Sequence, residues 1–213
     1  MTTNSSPNYF ITIGRSYGSG GLALAEAISK AFGIPMYDKN LLDLTAKETN
    51  IQADILRKVD ERNTRAFPYI YDSGYPMTNA FYTYTSGFLS DESLFARQCA
   101  TIEHLATQGP AVFVGRCSDY VLREQPRLIS IFVTDDMERR AARVMERLSI
   151  SKEEAIEKIE RVDKERKEYY LYYTTREWGV ADNYDLCIRL SKFGTDCVVR
   201  MVRDLVSRLT QVP

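Results

Sequence analysis

The stretch from Tyr9 to Ile28 reads YFITIGRSYGSGGLALAEAI, and its three parts set the architecture. Tyr9 to Ile13 is a short run of β-favouring residues. Gly14 to Gly21 is a glycine-rich loop. After it, Leu24, Ile28, Ala31 and Phe32 recur at helical spacing on one face, and Gly33 stands where a helix commonly ends. Ile34 to Tyr37 then reads as a second strand. A strand, loop, helix and strand in this order predict a parallel crossover, because the helix carries the chain back across the sheet.

The same alternation continues outward. Lys39 to Arg62 has a helical pattern, and Ala66 to Ser90 is an aperiodic stretch rich in aromatics, Gly and Pro. A structureless stretch of that length is unusual in a compact domain and is often functional, the other reading being an ill-ordered surface insertion. Asp91 to Gln108 is an amphipathic helix, with Leu94, Phe95, Cys99, Ile102, Leu105 and Ala106 along one side. Strands are predicted at Ala111 to Val114, Leu128 to Val133 and Tyr184 to Leu190. Asp135 with Glu138, and Ser151 with Glu154, have the spacing of helix-opening capping boxes. The second precedes a long charged helix towards Tyr173, and Val198, Val202, Leu205 and Leu209 mark the closing helix. Five apolar strands alternating with helices predict a doubly wound parallel sheet, whose ligands lie beyond the carboxyl ends of the strands. The glycine loop, Arg116 and Asp135 all fall at such ends.

Composition narrows the function classes. The chain has 213 residues, 44% of them hydrophobic, and a formal net charge of -1. A core of useful size is affordable within one α/β domain carrying insertions. The balanced charge argues against a nucleic-acid scaffold or a polybasic membrane binder. No apolar run approaches the ~20 residues of a membrane span. Met1 to Asn8 lacks the basic start and apolar core of a secretory signal, so a cytoplasmic location is expected. Cys99, Cys117, Cys187 and Cys197 show no CxxC spacing and are expected as buried free thiols, not as a metal site. His104 falls off the apolar face of its helix and reads as a surface residue, leaving zinc hydrolase or Ser-His-Asp chemistry little support.

Glycines in the loop let backbone N–H groups approach a phosphate, and the helix N-terminus behind them adds unpaired donors and a favourable dipole. The loop departs from the pattern GxxxxGK(S/T). No lysine follows the last glycines, and Leu22 and Ala23 stand where a Mg²⁺-holding hydroxyl would be. Arg15, or another arginine, is a candidate for the missing charge.

Ile11 to Asp38 (ITIGRSYGSGGLALAEAISKAFGIPMYD) resembles the opening of the cytidylate kinase-like family. Val114 to Tyr120 (VGRCSDY), Asp163-Lys164-Glu165-Arg166 followed by Tyr169-Tyr170, and Trp178-Gly179 resemble its later motifs. The resemblance spans nearly the whole chain except Asn63 to Ser90. Relatives often carry an arginine where this chain has Leu22.

The resemblance implies a three-layer P-loop NTPase-like fold, with a five-stranded parallel sheet flanked by helices. The core would be residues 9–38, 91–148 and 184–213, with an acceptor-binding insertion at about 39–90 and a lid at about 149–183. It implies ATP and Mg²⁺ as cofactors, with donor phosphates on Gly18, Ser19, Gly20 and Gly21. Arg116 would hold the acceptor's phosphate, and Arg161 and Arg166 would close over the donor, with Arg15 assisting catalysis. Asp38 and Asp119 would orient the acceptor or a hydrated Mg²⁺, though Asp38 equally suits a helix cap. Arg161, Asp163 and Arg166 also suit surface ion pairs on a solvated helix.

Phe67, Tyr69, Tyr71, Tyr75, Phe81, Tyr82 and Tyr84 suit either stacking on a base or a homodimer contact. The expected activity is phosphoryl transfer from ATP to CMP or a related small acceptor. Two other readings stay open: a non-catalytic nucleotide-binding or regulatory protein, and a kinase of a non-nucleotide acceptor. A dinucleotide oxidoreductase is remote, since the loop lacks GxGxxG.

Overall fold

The computed structural model describes residues 8–38 and 91–211. The helix expected from Lys39 and the aromatic stretch that follows it lie outside the described residues. Two compact units divide the chain, Met1–Asn40 with Ile102–Pro213 in one and Leu41–Thr101 in the other.

The first unit is built on a five-stranded parallel sheet. Its strands are β1 (Phe10–Arg15), β2 (Met36–Tyr37), β3 (Ala111–Val114), β4 (Leu128–Thr134) and β5 (Leu186–Arg189), in the order β2-β3-β1-β4-β5. The helices are α1 (Gly21–Phe32), α2 (Asp91–Gln108, whose first part belongs to the other unit), α3 (Ser118–Val121), α4 (Met137–Leu148), α5 (Lys152–Thr174), α6 (Leu190–Phe193) and α7 (Thr195–Gln211).

Central strands are apolar on both faces because helices cover both. In β1, Phe10, Ile11, Thr12 and Ile13 are all buried. Ile11 and Ile13 join Leu24, Ile28, Val112, Val114, Ile131, Val133, Val198 and Val202 in the main core. A smaller core joins α4 to α5 through Ala141, Val144, Ala155 and Ile159.

The strand order puts the carboxyl end of β1 between β3 and β4, where consecutive connections diverge. Such a switch point opens a crevice for ligand.

Several details differ from the sequence reading. β1 runs two residues further than expected, because the longer β4 offers ladder partners: Gly14 pairs with Phe132 and Arg15 with Val133. The loop proper is therefore Ser16 to Gly20. Asp135 does not open a capping box. The N-cap of α4 is Asp136, and the Asp135 carboxylate is engaged by Ser191 and Arg143 instead. Ser151 and Glu154 do form the reciprocal capping box of α5, with bonds of 3.2 and 2.8 Å. None of the four cysteines is in a disulfide, but only Cys117 is buried, and Cys187 is exposed because it lies on an edge strand. His104 is exposed, and its ring lies 3.2 Å from Gln108 one turn along the helix. Among the described residues no helix is long and apolar enough to cross a membrane.

Candidate active site

The loop between β1 and α1 is held from outside by side chains of α4 and α5. Arg140 Nε donates to the Tyr17 carbonyl at 2.8 Å, and Arg143 donates to the Gly18 carbonyl at 3.1 Å. Asp163 accepts the Tyr17 amide at 2.7 Å and pairs with Arg140. In a trans peptide the N–H points opposite to the C=O. Fixing the Tyr17 carbonyl against α4 therefore turns the Gly18 amide the other way. Among the described residues no protein acceptor bonds the amides of Gly18 or Gly20. Gly18 (φ 77°) and Gly20 (φ 87°) need the left-handed conformation that only glycine adopts without cost. Such concavities of N–H groups at a helix N-terminus suit an anion.

Three guanidinium groups cluster beside the loop. Arg15 leaves the end of β1 and feels Arg166, Asp38 and Arg116. Burial, then Arg166 and Arg116, lowers the Arg15 pKa to about 10 against the opposing pull of Asp38, so it stays charged at neutral pH. Arg166 donates to the Arg15 carbonyl at 2.7 Å and lies 5.6 Å from the centre of the Tyr17 ring. Its pKa is also lowered, chiefly by burial, with Asp163 opposing. Cations crowded at a partly buried site are expected where an anionic ligand completes the charge balance.

Arg116 sits on an unusual turn. Gly115, Arg116 and Cys117 have φ of 72°, 58° and 55°. Two successive non-glycine residues in that region cost about 1–2 kcal/mol each. Asp119 braces this turn. Its buried carboxylate, 8% exposed, accepts the Tyr170 hydroxyl of α5 at 2.6 Å. Burial raises the Asp119 pKa, and burial plus Asp119 raise those of Tyr170 and Tyr184. Arg116 itself packs 5.5 Å from the Tyr169 ring centre, so α5 supports it twice.

Of the residues singled out in the sequence, Arg15, Gly18, Ser19, Gly20, Gly21, Asp38, Arg116 and Arg166 gather at the carboxyl ends of β1, β2 and β3. Arg161 does not join them: its side chain is 61% exposed and pairs with Glu165 one turn away. Asp119 is buried, with its carboxylate turned to Tyr170 of α5. The sequence reading set Asp135 at a strand's ligand end and Tyr170 in a family motif, but gave neither a role, and it assigned none to Arg140 or Arg143. The three-residue spacing of Arg140 and Arg143 on α4 was the available signal. Asp135 holds Arg143 at 2.7 Å while accepting from Ser191. Among the described residues no group of three metal-ligating side chains is placed to hold a metal ion.

A parallel sheet with an amide-lined glycine loop at its switch point defines the P-loop class of α/β proteins. Within that class the chain belongs to the cytidylate kinase-like family, whose profile matches residues 10–192. Among solved structures it is similar to an uncharacterized protein from Eubacterium ventriosum, at 27% identity and a TM-score of 0.70, over 93% of this chain and 98% of that one. It also shares its fold with a gluconokinase from Sinorhizobium meliloti (17% identity, TM-score 0.50, 98% and 96% of the two chains). A shikimate kinase from Bacteroides thetaiotaomicron is similar too (10% identity, TM-score 0.52, 94% and 99% covered). No curated protein matches the chain.

Proposed function

We propose that this protein is a phosphotransferase that moves the γ-phosphoryl group of ATP to CMP or a related small acceptor. The observation that carries this reading is the convergence of Arg15, Arg116 and Arg166 beside a loop whose Gly18 and Gly20 amides meet no acceptor among the described residues. Membership of a kinase-like family supports it. Phosphoryl transfer asks a protein mainly for positioning and charge stabilisation. Amides of Gly18 to Gly21 would hold the donor's phosphates. Arg116 would fix the acceptor through a bidentate contact, with Asp38 beside the cations to orient it. Arg166, carried by α5, would neutralise charge developing on the transferred group. The residues fit a polyphosphate. Among the described residues no three metal ligands cluster, so a Mg²⁺ ion would ride mainly on substrate phosphates with Asp38 nearby.

A second reading, nucleotide binding without transfer, is favoured by one observation. Leu22, 41% exposed in the first turn of α1, offers neither charge nor hydroxyl to a bound phosphate. A kinase of a non-nucleotide acceptor would share every donor-side feature.

ADP formation from Mg-ATP, measured across nucleoside monophosphates, gluconate and shikimate, separates the three. Acceptor-dependent turnover that Arg116→Ala and Arg166→Ala reduce by about 100-fold or more supports the proposal and names the acceptor. ATP binding with no turnover on any acceptor moves the assignment to the second reading.

A further inference from the structure

We propose that Arg15 supplies, from the end of β1, the charge that a P-loop lysine delivers from the first turn of its helix. This rests on the donor-binding reading above. A Cβ added at Gly21, where the GxxxxGK(S/T) lysine would align, would lie 2.6 Å from Arg15 Cβ and 3.2 Å from its Cγ. Real Cβ atoms do not approach that closely, so the stem of Arg15 fills the space through which a side chain at position 21 would leave. At its other end, a Cβ on Gly115 would lie 2.1 Å from Arg15 Nη1. The two glycines thus clear a channel for one arginine.

Gly115 has a positive φ that already favours glycine, but Gly21 does not. Gly21 is the first residue of α1, and a helical backbone accepts any L-residue there. The absence of a side chain at position 21 is explained by the room Arg15 takes, not by the backbone. The lost lysine and the placed arginine are therefore one exchange. The guanidinium would act as a fork on the phosphate oxygens where an ammonium acts as a point charge.

The test is a charge transplant. Arg15→Gly removes the cation and the colliding Cβ, Gly21→Lys introduces the lysine, and the double variant moves the charge to α1. Binding of inorganic tripolyphosphate and of Mg-ATP is measured by calorimetry, with circular dichroism to verify folding. Arg15→Gln, which keeps most of the packing, provides a charge-only control.

The expected result is a loss of about tenfold or more in both affinities for Arg15→Gly and Arg15→Gln. The double variant should recover most of that loss. Unchanged affinity in a folded Arg15→Gln protein would overturn the proposal, as would a folded double variant no better than Arg15→Gly. Wild-type protein that binds neither probe overturns the donor reading together with it. Wild-type protein that binds both without turnover removes only the transferase reading.

Discussion

Asp135 and Asp119 are both buried carboxylates, yet their environments push them in opposite directions, with opposite consequences for stability. Burial alone would raise Asp135, but the Ser191 hydroxyl, Arg143 and the Asp136 amide outweigh it and lower its pKa below the ordinary 3.8. Its stabilisation is complete above the unfolded value and is lost as pH falls through the folded one. Asp135→Asn should therefore cost about 2 kcal/mol at neutral pH, with the deficit shrinking in acid, as urea midpoints across pH would record. Asp119 lies the other way. Its raised pKa means that the folded state holds the proton more tightly, so wild-type stability falls as pH rises from 3.8 through the folded value. Asp119→Asn keeps an acceptor for Tyr170 and removes that fall, so the variant should gain on wild type as pH rises. A constant difference across the range would refute this account. Gly115→Ala tests the turn itself. Its φ of 72° and the 2.1 Å approach to Arg15 predict a stability loss of about 1–2 kcal/mol, together with weakened phosphate binding.

At the scale of elements, the loop is shaped by helices distant in sequence. Arg140 and Asp163 are nearly buried, with side chains 9% and 15% exposed, and both bond the backbone of Tyr17. Removing one partner leaves the other charge uncompensated, at a cost of about 3 kcal/mol or more. Asp163→Asn should also speed hydrogen exchange at the Tyr17 amide more than at the β1 amides. Equal acceleration throughout would mean general destabilisation, not release of the loop.

This dependence explains what was legible beforehand. Periodicity and glycine placement sufficed for the alternating strands and helices, because those signals are local. The arginine at the end of β3 and the Asp163-x-x-Arg166 spacing were visible as motifs. That Asp163 grips Tyr17, that Asp119 faces inward, and that Arg161 faces solvent depend on how α5 packs against α4 and the turns after β1 and β3. No local pattern distinguishes Arg161 from Arg166 on one charged helix. The extension of β1 was likewise decided by its neighbour β4.

For the whole molecule, a ligand that binds only the folded state raises its stability by mass action. Mg-ATP at 100 times its dissociation constant would add about 2.7 kcal/mol. For a protein of this size that is roughly 5–10 °C in the melting midpoint. Differential scanning fluorimetry should show this rise in wild type and a much smaller one in Arg15→Gln. The route of Arg15 between two glycines also has a chemical corollary. Amine-directed probes that acylate or sulfonylate the nucleotide-site lysine of P-loop enzymes would find no target at position 21. Vicinal dicarbonyl reagents such as phenylglyoxal would find one in Arg15, whose lowered pKa of about 10 enriches the reactive neutral guanidine. A peptide map of the labelled protein, with and without polyphosphate protection, would read that selectivity directly.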